Sequence, residues 1–152
     1  MIKKHLITTV IIGVAILFVS AAIYAKSAPD IIPLQDPAYE THKKGVVKFE
    51  HKKHWDDYSK AYPEIYPSQC GECHHDKDGK PLTELKDGDD VQKCIECHKI
   101  PAEAPKGKKA KEKLSKKEKI KEYHAEALHE NCRGCHKKED RKLASCSTCH
   151  KK

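Results

Sequence analysis

The chain has 152 residues, 35% of them charged, a formal net charge of +7, and only two Phe and one Trp. That length gives one domain or two very small ones, and so few large apolar side chains can hardly bury a peptide core. Chains in that position rely on disulfides, metals or cofactors.

At the N-terminus, Lys3 and Lys4 precede an uncharged run from Leu6 to Ala25. This has the form of the charged and apolar regions of a secretory signal, with small-residue cleavage points at Ser20-Ala21-Ala22 or Ile23-Tyr24-Ala25. The bulky Ile23 at the −3 position suits the second poorly, and the run also reaches the ~20 residues a membrane span needs. Residues 1–25 are expected to be a cleaved signal peptide or a retained membrane anchor, and either places the remainder outside the cytoplasmic membrane, in the periplasm. Loss of this segment takes two lysines and lowers the charge to +5. A positive balance raises nucleic acid as a partner, but export argues against it.

Residues 26–42 contain Pro29, Pro33 and Pro37 and are expected to be an extended lead-in. Alternation through Val47-Lys48-Phe49 predicts a short strand, after which His51 and His54 fall one turn apart at the start of a helix or turn. Pro63 and Pro67 end any helix there.

Every cysteine then lies in a Cys-x-x-Cys pair followed directly by histidine: Cys70/Cys73-His74, Cys94/Cys97-His98, Cys132/Cys135-His136 and Cys146/Cys149-His150. This is the attachment pattern of c-type haem. Two thiols at that spacing reach the two vinyl groups of one porphyrin, and the adjacent imidazole turns under the iron as proximal ligand. Four motifs imply four haem c groups per chain. A disulfide framework would leave the histidines unexplained. Zinc ribbons fit the spacing between pairs but need no histidine after each. Thioredoxin-like redox pairs would need a βαβ pattern, which no motif has.

Between the motifs, residues 76–93 are turn-rich, with Asp78-Gly79 and Asp87-Gly88, and residues 99–109 form a Pro/Lys loop. Lys111 to Leu128 predicts one helix with Leu114, Ile120, Tyr123 and Leu128 inward and Ser115 as an interior start. Lys106 to Lys121 holds nine lysines and two glutamates. Such a run is either a solvated face or a docking surface for an acidic redox partner. Each ferric bis-imidazole haem with ionised propionates adds a charge of about −1, so four nearly cancel the positive balance and weaken the nucleic-acid reading further.

The sixth iron position separates electron transfer from catalysis: filled, it leaves a carrier; open, it can bind substrate. Met1 is the only methionine and stands at the start of the signal, so thioether ligation is excluded. His42, His51, His54, His75, His124 and His129 supply six candidates for four positions. His42 fits a solvated surface residue. His75 directly follows a proximal ligand, so its ring must point elsewhere, toward a neighbouring iron. His129 is preferred to His124 because it lies just before Cys132. Two imidazoles favour ferric iron more than a thioether does, so low potentials are expected.

The run Val47-x-Phe49-x-His51-x-x-His54, the doubled His74-His75 and the three further motifs resemble the class III multihaem cytochromes c, in their small tetrahaem form (cytochromes c3), over residues 42–152. The resemblance implies a small, mostly irregular α fold with a short N-terminal strand or hairpin, in which a compact tetrahaem cluster over residues 43–152 is the core. It implies distal ligands His51, His75, His54 and His129 (or His124), pairing with His74, His98, His136 and His150 respectively. It further implies an electron carrier rather than an enzyme, serving hydrogenase or formate dehydrogenase and a membrane or extracellular acceptor. Two features depart from the family: the two-residue spacing of the second motif, where many relatives have four, and the lysine-rich stretch. The alternatives are a membrane-anchored haem subunit oxidising quinol, which requires residues 6–25 to be retained, and a multihaem reductase with one open haem.

Overall fold

The computed structural model describes residues 27–107 and 113–151. The expected signal or anchor, and part of the lysine run with the start of its helix, lie outside these residues.

Two strands open the fold: β1 (Ile32–Leu34) pairs antiparallel with β2 (Val47–Phe49), in the register Ile32 to Phe49, Pro33 to Lys48 and Leu34 to Val47. Alternation puts Val47 and Phe49 on the half-buried face and Lys48 outward. Pro33 lacks an N–H, which a two-stranded sheet tolerates because both strands are edges. Within residues 26–42, Ile32–Leu34 is thus extended and hydrogen-bonded to the strand that precedes His51, and Tyr39 N–H closes a turn on Asp36 O at 3.1 Å. Lys52 N–H donates to Asp30 O at 3.2 Å, fastening the start of the next segment to the same lead-in.

A helical segment begins at His51, widens to a π-type turn over Lys53–Tyr58 and ends in α1 (Ser59–Ala61), just before Pro63. A 3-10 turn, Gln69–Glu72, carries the first motif. Gln69 enters it at φ 52°, in the left-handed region that costs a non-glycine residue energy. The second and fourth motifs each occupy a single helical turn, α2 (Cys94–Cys97) and α5 (Cys146–Cys149). Turns connect them, with Gly79 and Gly88 at φ 81° and 89°.

The helix expected over 111–128 is two helices among the described residues. Ser115 caps α3 (Lys116–Glu122) with a full capping box: its side chain accepts from Glu118 N–H, and Glu118 accepts from Ser115 N–H. The chain then breaks at Tyr123, extended at φ −96° and ψ 118°, and restarts as α4 (His124–Glu139), which runs through the third motif. Strand-like pairing forces this break. Ile100 N–H donates to Glu122 O at 3.0 Å, and His124 N–H donates to Ile100 O at 2.9 Å, so the segment leaving the second motif wedges between the helices. Helix propensity yields to those tertiary bonds.

The peptide core is slight. Among the described residues only Ala104 and Ala144 are buried apolar side chains, and no large side chain is fully buried. Ile31, Val91 and Leu143 are more than 40% exposed. Two alanines cannot offset the conformational entropy of a domain, which runs to about 1–2 kcal/mol per ordered backbone residue. No helix of the described residues is long and apolar enough to cross a membrane.

Candidate functional site

Local structure first sets the cysteines. In each motif the turn brings both thiols to one side, and the carbonyl of the first cysteine accepts the histidine N–H at 2.9 Å in the first, second and fourth motifs. All eight cysteines are free thiols. Burial, helped by the neighbouring thiols of Cys132 and Cys135, pushes the Cys73 thiol up to about 12. Burial, with the thiols of Cys149, Cys94 and Cys135, takes Cys132 to about 11. Such thiols stay protonated near neutral pH, unlike the low-pKa thiolates of disulfide exchange. Asn131 Nδ2–H donates to Cys73 O at 3.2 Å and Arg133 Nε–H donates to Ala144 O at 3.1 Å, which ties the third motif to the first and to the segment leading into the fourth.

The histidines from distant segments meet in four pairs. Ring centres lie 6.3 Å apart for His51 and His74, 6.1 Å for His75 and His98, 6.1 Å for His54 and His136, and 6.4 Å for His129 and His150. These are the pairs the resemblance implies. A metal–imidazole bond of about 2 Å plus roughly 1.1 Å from nitrogen to ring centre gives about 6.2 Å across one metal ion held by two imidazoles. Rings sharing such an axis are free to rotate about it, so interplanar angles from 23° to 80° suit the same arrangement.

Four of the eight rings are oriented by backbone. The Nδ1 of His54 bonds Glu50 O at 2.9 Å, that of His75 bonds Asp76 O at 2.7 Å, that of His98 bonds Lys121 O at 3.1 Å, and that of His150 bonds Gly45 O at 2.8 Å. A carbonyl oxygen only accepts, so each Nδ1 is the donor, which leaves Nε2 as the nitrogen able to bind a metal. His51 and His136 have buried Nδ1 atoms with no hydrogen-bond partner among the described residues. Burial lowers the pKa of His51, His74, His129 and His136, which favours the neutral, ligating form. Cys73, His75, Lys93, Cys94, Cys97 and His98 line a shared cleft between the first and second motifs.

The other two histidines among the described residues are engaged elsewhere. His124 is 8% exposed and bonds Tyr39 Oη through Nδ1 at 2.9 Å. Exposed His42 also stacks on that tyrosine, ring centres 5.6 Å apart. Tyr39 and the carbonyls of Gly45 and Lys121 were not legible in the sequence as site residues; a carbonyl leaves no residue signature at all.

The donor set fits iron porphyrin better than zinc. Thiols adjoin a histidine paired with another histidine, and among the described residues no three or more His, Cys, Asp or Glu converge as a metal site. The near-absence of a peptide core fits a bulky apolar group at the centre.

A family model described as the class III cytochrome C family matches residues 29–150. No curated protein and no solved structure matches the chain.

Proposed function

The chain belongs to the class III cytochrome c family, multihaem electron-transfer proteins that bind haem c, and from that premise we propose that it is a low-potential periplasmic carrier with four bis-histidine haems. The four histidine pairs at 6.1–6.4 Å carry this reading. Cys70/Cys73, Cys94/Cys97, Cys132/Cys135 and Cys146/Cys149 would hold the four porphyrins through thioethers. His74, His98, His136 and His150 would be proximal ligands, opposed by His51, His75, His54 and His129.

Bound haem supplies a one-electron ferric–ferrous couple. With both rings of each pair as ligands, the chain's own residues would leave no open position for substrate, which would restrict the chemistry to electron transfer. The backbone carbonyls that hold four of the imidazoles fix their tautomers and keep their Nε2 atoms aimed. Four prosthetic groups on so short a chain interact electrostatically, so each affinity for an electron depends on the others' state.

The proposed donors are hydrogenase or formate dehydrogenase, the proposed acceptor a membrane or extracellular component, and the lysine-rich stretch 106–121 the docking face. Nucleic acid is not a proposed partner. Against a reductase with an open haem stands the opposing ring found for every proximal histidine. The quinol-oxidising, anchored subunit depends on residues 6–25.

Pyridine haemochrome assay and electron paramagnetic resonance test the reading: four covalent, low-spin haems per chain are expected. A high-spin signal from one haem would favour the reductase, and fewer than four haems would overturn the tetrahaem assignment. Native mass distinguishes a processed chain lacking residues 1–25 from an anchored one.

A further inference from the structure

One of the four histidine pairs has both of its rings held by backbone among the described residues. His75 Nδ1–H donates to Asp76 O at 2.7 Å, and His98 Nδ1–H donates to Lys121 O at 3.1 Å. In the pairs His54/His136 and His129/His150 one ring is so held, by Glu50 O and Gly45 O, and in His51/His74 neither is.

Both acceptors on the second pair are themselves immobilised. Asp76 begins a tight hairpin that returns the chain onto the doubled histidine. Gly79 N–H donates to Asp76 O at 3.0 Å, Asp76 N–H to Lys80 O at 2.9 Å, and Leu82 N–H to His74 O at 2.9 Å. The Asp76 side chain completes the turn, its Oδ1 accepting from Asp78 N–H and from Lys80 N–H, each at 2.9 Å. Gly79 sits in this turn at φ 81°, where a residue with a Cβ is strained. Lys121 O lies near the C-terminal end of α3, which Ile100 ties down through its N–H bond to Glu122 O at 3.0 Å. Asp76 thus holds, through its own carbonyl, the ring that faces His98 at 6.1 Å.

A hydrogen bond from Nδ1–H to a carbonyl draws the proton away from the ring and makes Nε2 a stronger donor to a metal. A stronger donor stabilises ferric over ferrous iron, so each such bond lowers the potential of the haem it serves. Asp76 and Lys93 line the cleft at this pair with opposite charges, so their charges oppose each other while the two hydrogen bonds act together.

We infer that the second haem, at Cys94, Cys97, His75 and His98, has the lowest potential of the four, and that Asp76 is a positioning residue that sets it by fixing the carbonyl on His75. This rests on the bis-histidine carrier reading and adds where one haem stands in the order of reduction. Each step takes one electron from an external one-electron reductant and turns one ferric iron ferrous, with no bond formed or broken. The second haem is the last to accept its electron and the first to give it up.

The test is a stepwise dithionite titration of the tetrahaem protein, followed through the haem methyl signals in proton nuclear magnetic resonance. Haem count and low-spin electron paramagnetic resonance on the same sample reveal a failure of the carrier reading independently of the order of reduction. At every stage the second haem should carry the smallest reduced fraction. Asp76→Ala should raise its equilibrium constant for reduction about tenfold relative to the other three, the low end of what losing an outer partner of a metal ligand costs. Asp76→Asn removes the charge but keeps an oxygen acceptor for the turn, and should stay close to the parent value. Gly79→Ala strains the same turn without changing any charge, and should shift the second haem in the same direction as Asp76→Ala, which gives a second reading should that variant fold poorly. A second haem that is reduced ahead of another, a potential that neither Asp76→Ala nor Gly79→Ala changes, or an Asp76→Asn shift as large as that of Asp76→Ala would overturn the proposal.

Discussion

The hydroxyl of Tyr39 lies 2.9 Å from Nδ1 of His124, joining side chains 85 positions apart. This bond buries His124 against the lead-in, while His129, farther along the same helix, faces His150. Two histidines that composition leaves equivalent thereby take different roles. His129→Ala should convert the fourth haem to high spin and leave the other three unchanged by electron paramagnetic resonance. His124→Ala should keep all four low-spin and cost stability only, about 1 kcal/mol by denaturant titration, as should Tyr39→Phe. Loss of low-spin coordination in His124→Ala, with none in His129→Ala, would reverse the assignment.

Gly45 is fixed by a close approach rather than by backbone conformation. A Cβ there would collide with the carbonyl oxygen of Lys151, and Gly45 O is the acceptor for His150 Nδ1. Gly45→Ala should displace the C-terminal segment, destabilise the protein by about 1–3 kcal/mol and shift the g-values of the fourth haem. Thermal melting and electron paramagnetic resonance check the two effects. A melting curve and spectrum matching the parent protein would exclude this role.

With only Ala104 and Ala144 as buried apolar residues among those described, the polypeptide lacks the burial to fold alone. A chain with all eight cysteines replaced by serine should show no cooperative thermal transition by circular dichroism. The tetrahaem protein should melt cooperatively. A sharp transition in the serine variant would refute the idea that the prosthetic groups are the core.

Acid should loosen the N-terminal turn of α3. Hydrogen bonds from Ser115 hold the Glu118 carboxyl below its usual range. A carboxylate depressed in the folded state contributes stability above its unfolded pKa of about 4.3, and that contribution is lost as pH falls through the lower folded value. The protection factor of the Ser115 amide, its exchange relative to that of an unstructured amide at the same pH, should fall below about pH 4. Glu118→Gln should abolish this pH dependence. An Asn131→Leu substitution offers a contrast: it removes the donor to Cys73 O, 3.2 Å away, and should cost about 1 kcal/mol by denaturant titration at any pH.

The four Cys-x-x-Cys-His motifs were legible in the sequence because Cys, Cys and His lie within a single turn of chain, where local stereochemistry suffices. The strand at Val47–Phe49 was legible for the same reason, through its alternation. The break at Tyr123 was not, because strand-like pairing with Ile100 overrides a helical pattern that runs straight through it. The resemblance supplied the histidine pairs, and the fold brings those same rings to within 6.4 Å of each other. Only the tertiary structure decided what orients them: Gly45 O for His150, 105 positions away, Lys121 O for His98, and Tyr39 to hold His124 apart. Backbone carbonyls are the same at every residue, so sequence marks where a haem attaches but not which carbonyl turns the imidazole or which helix borders it. Those assignments arise only when segments distant in the chain are brought together by the fold.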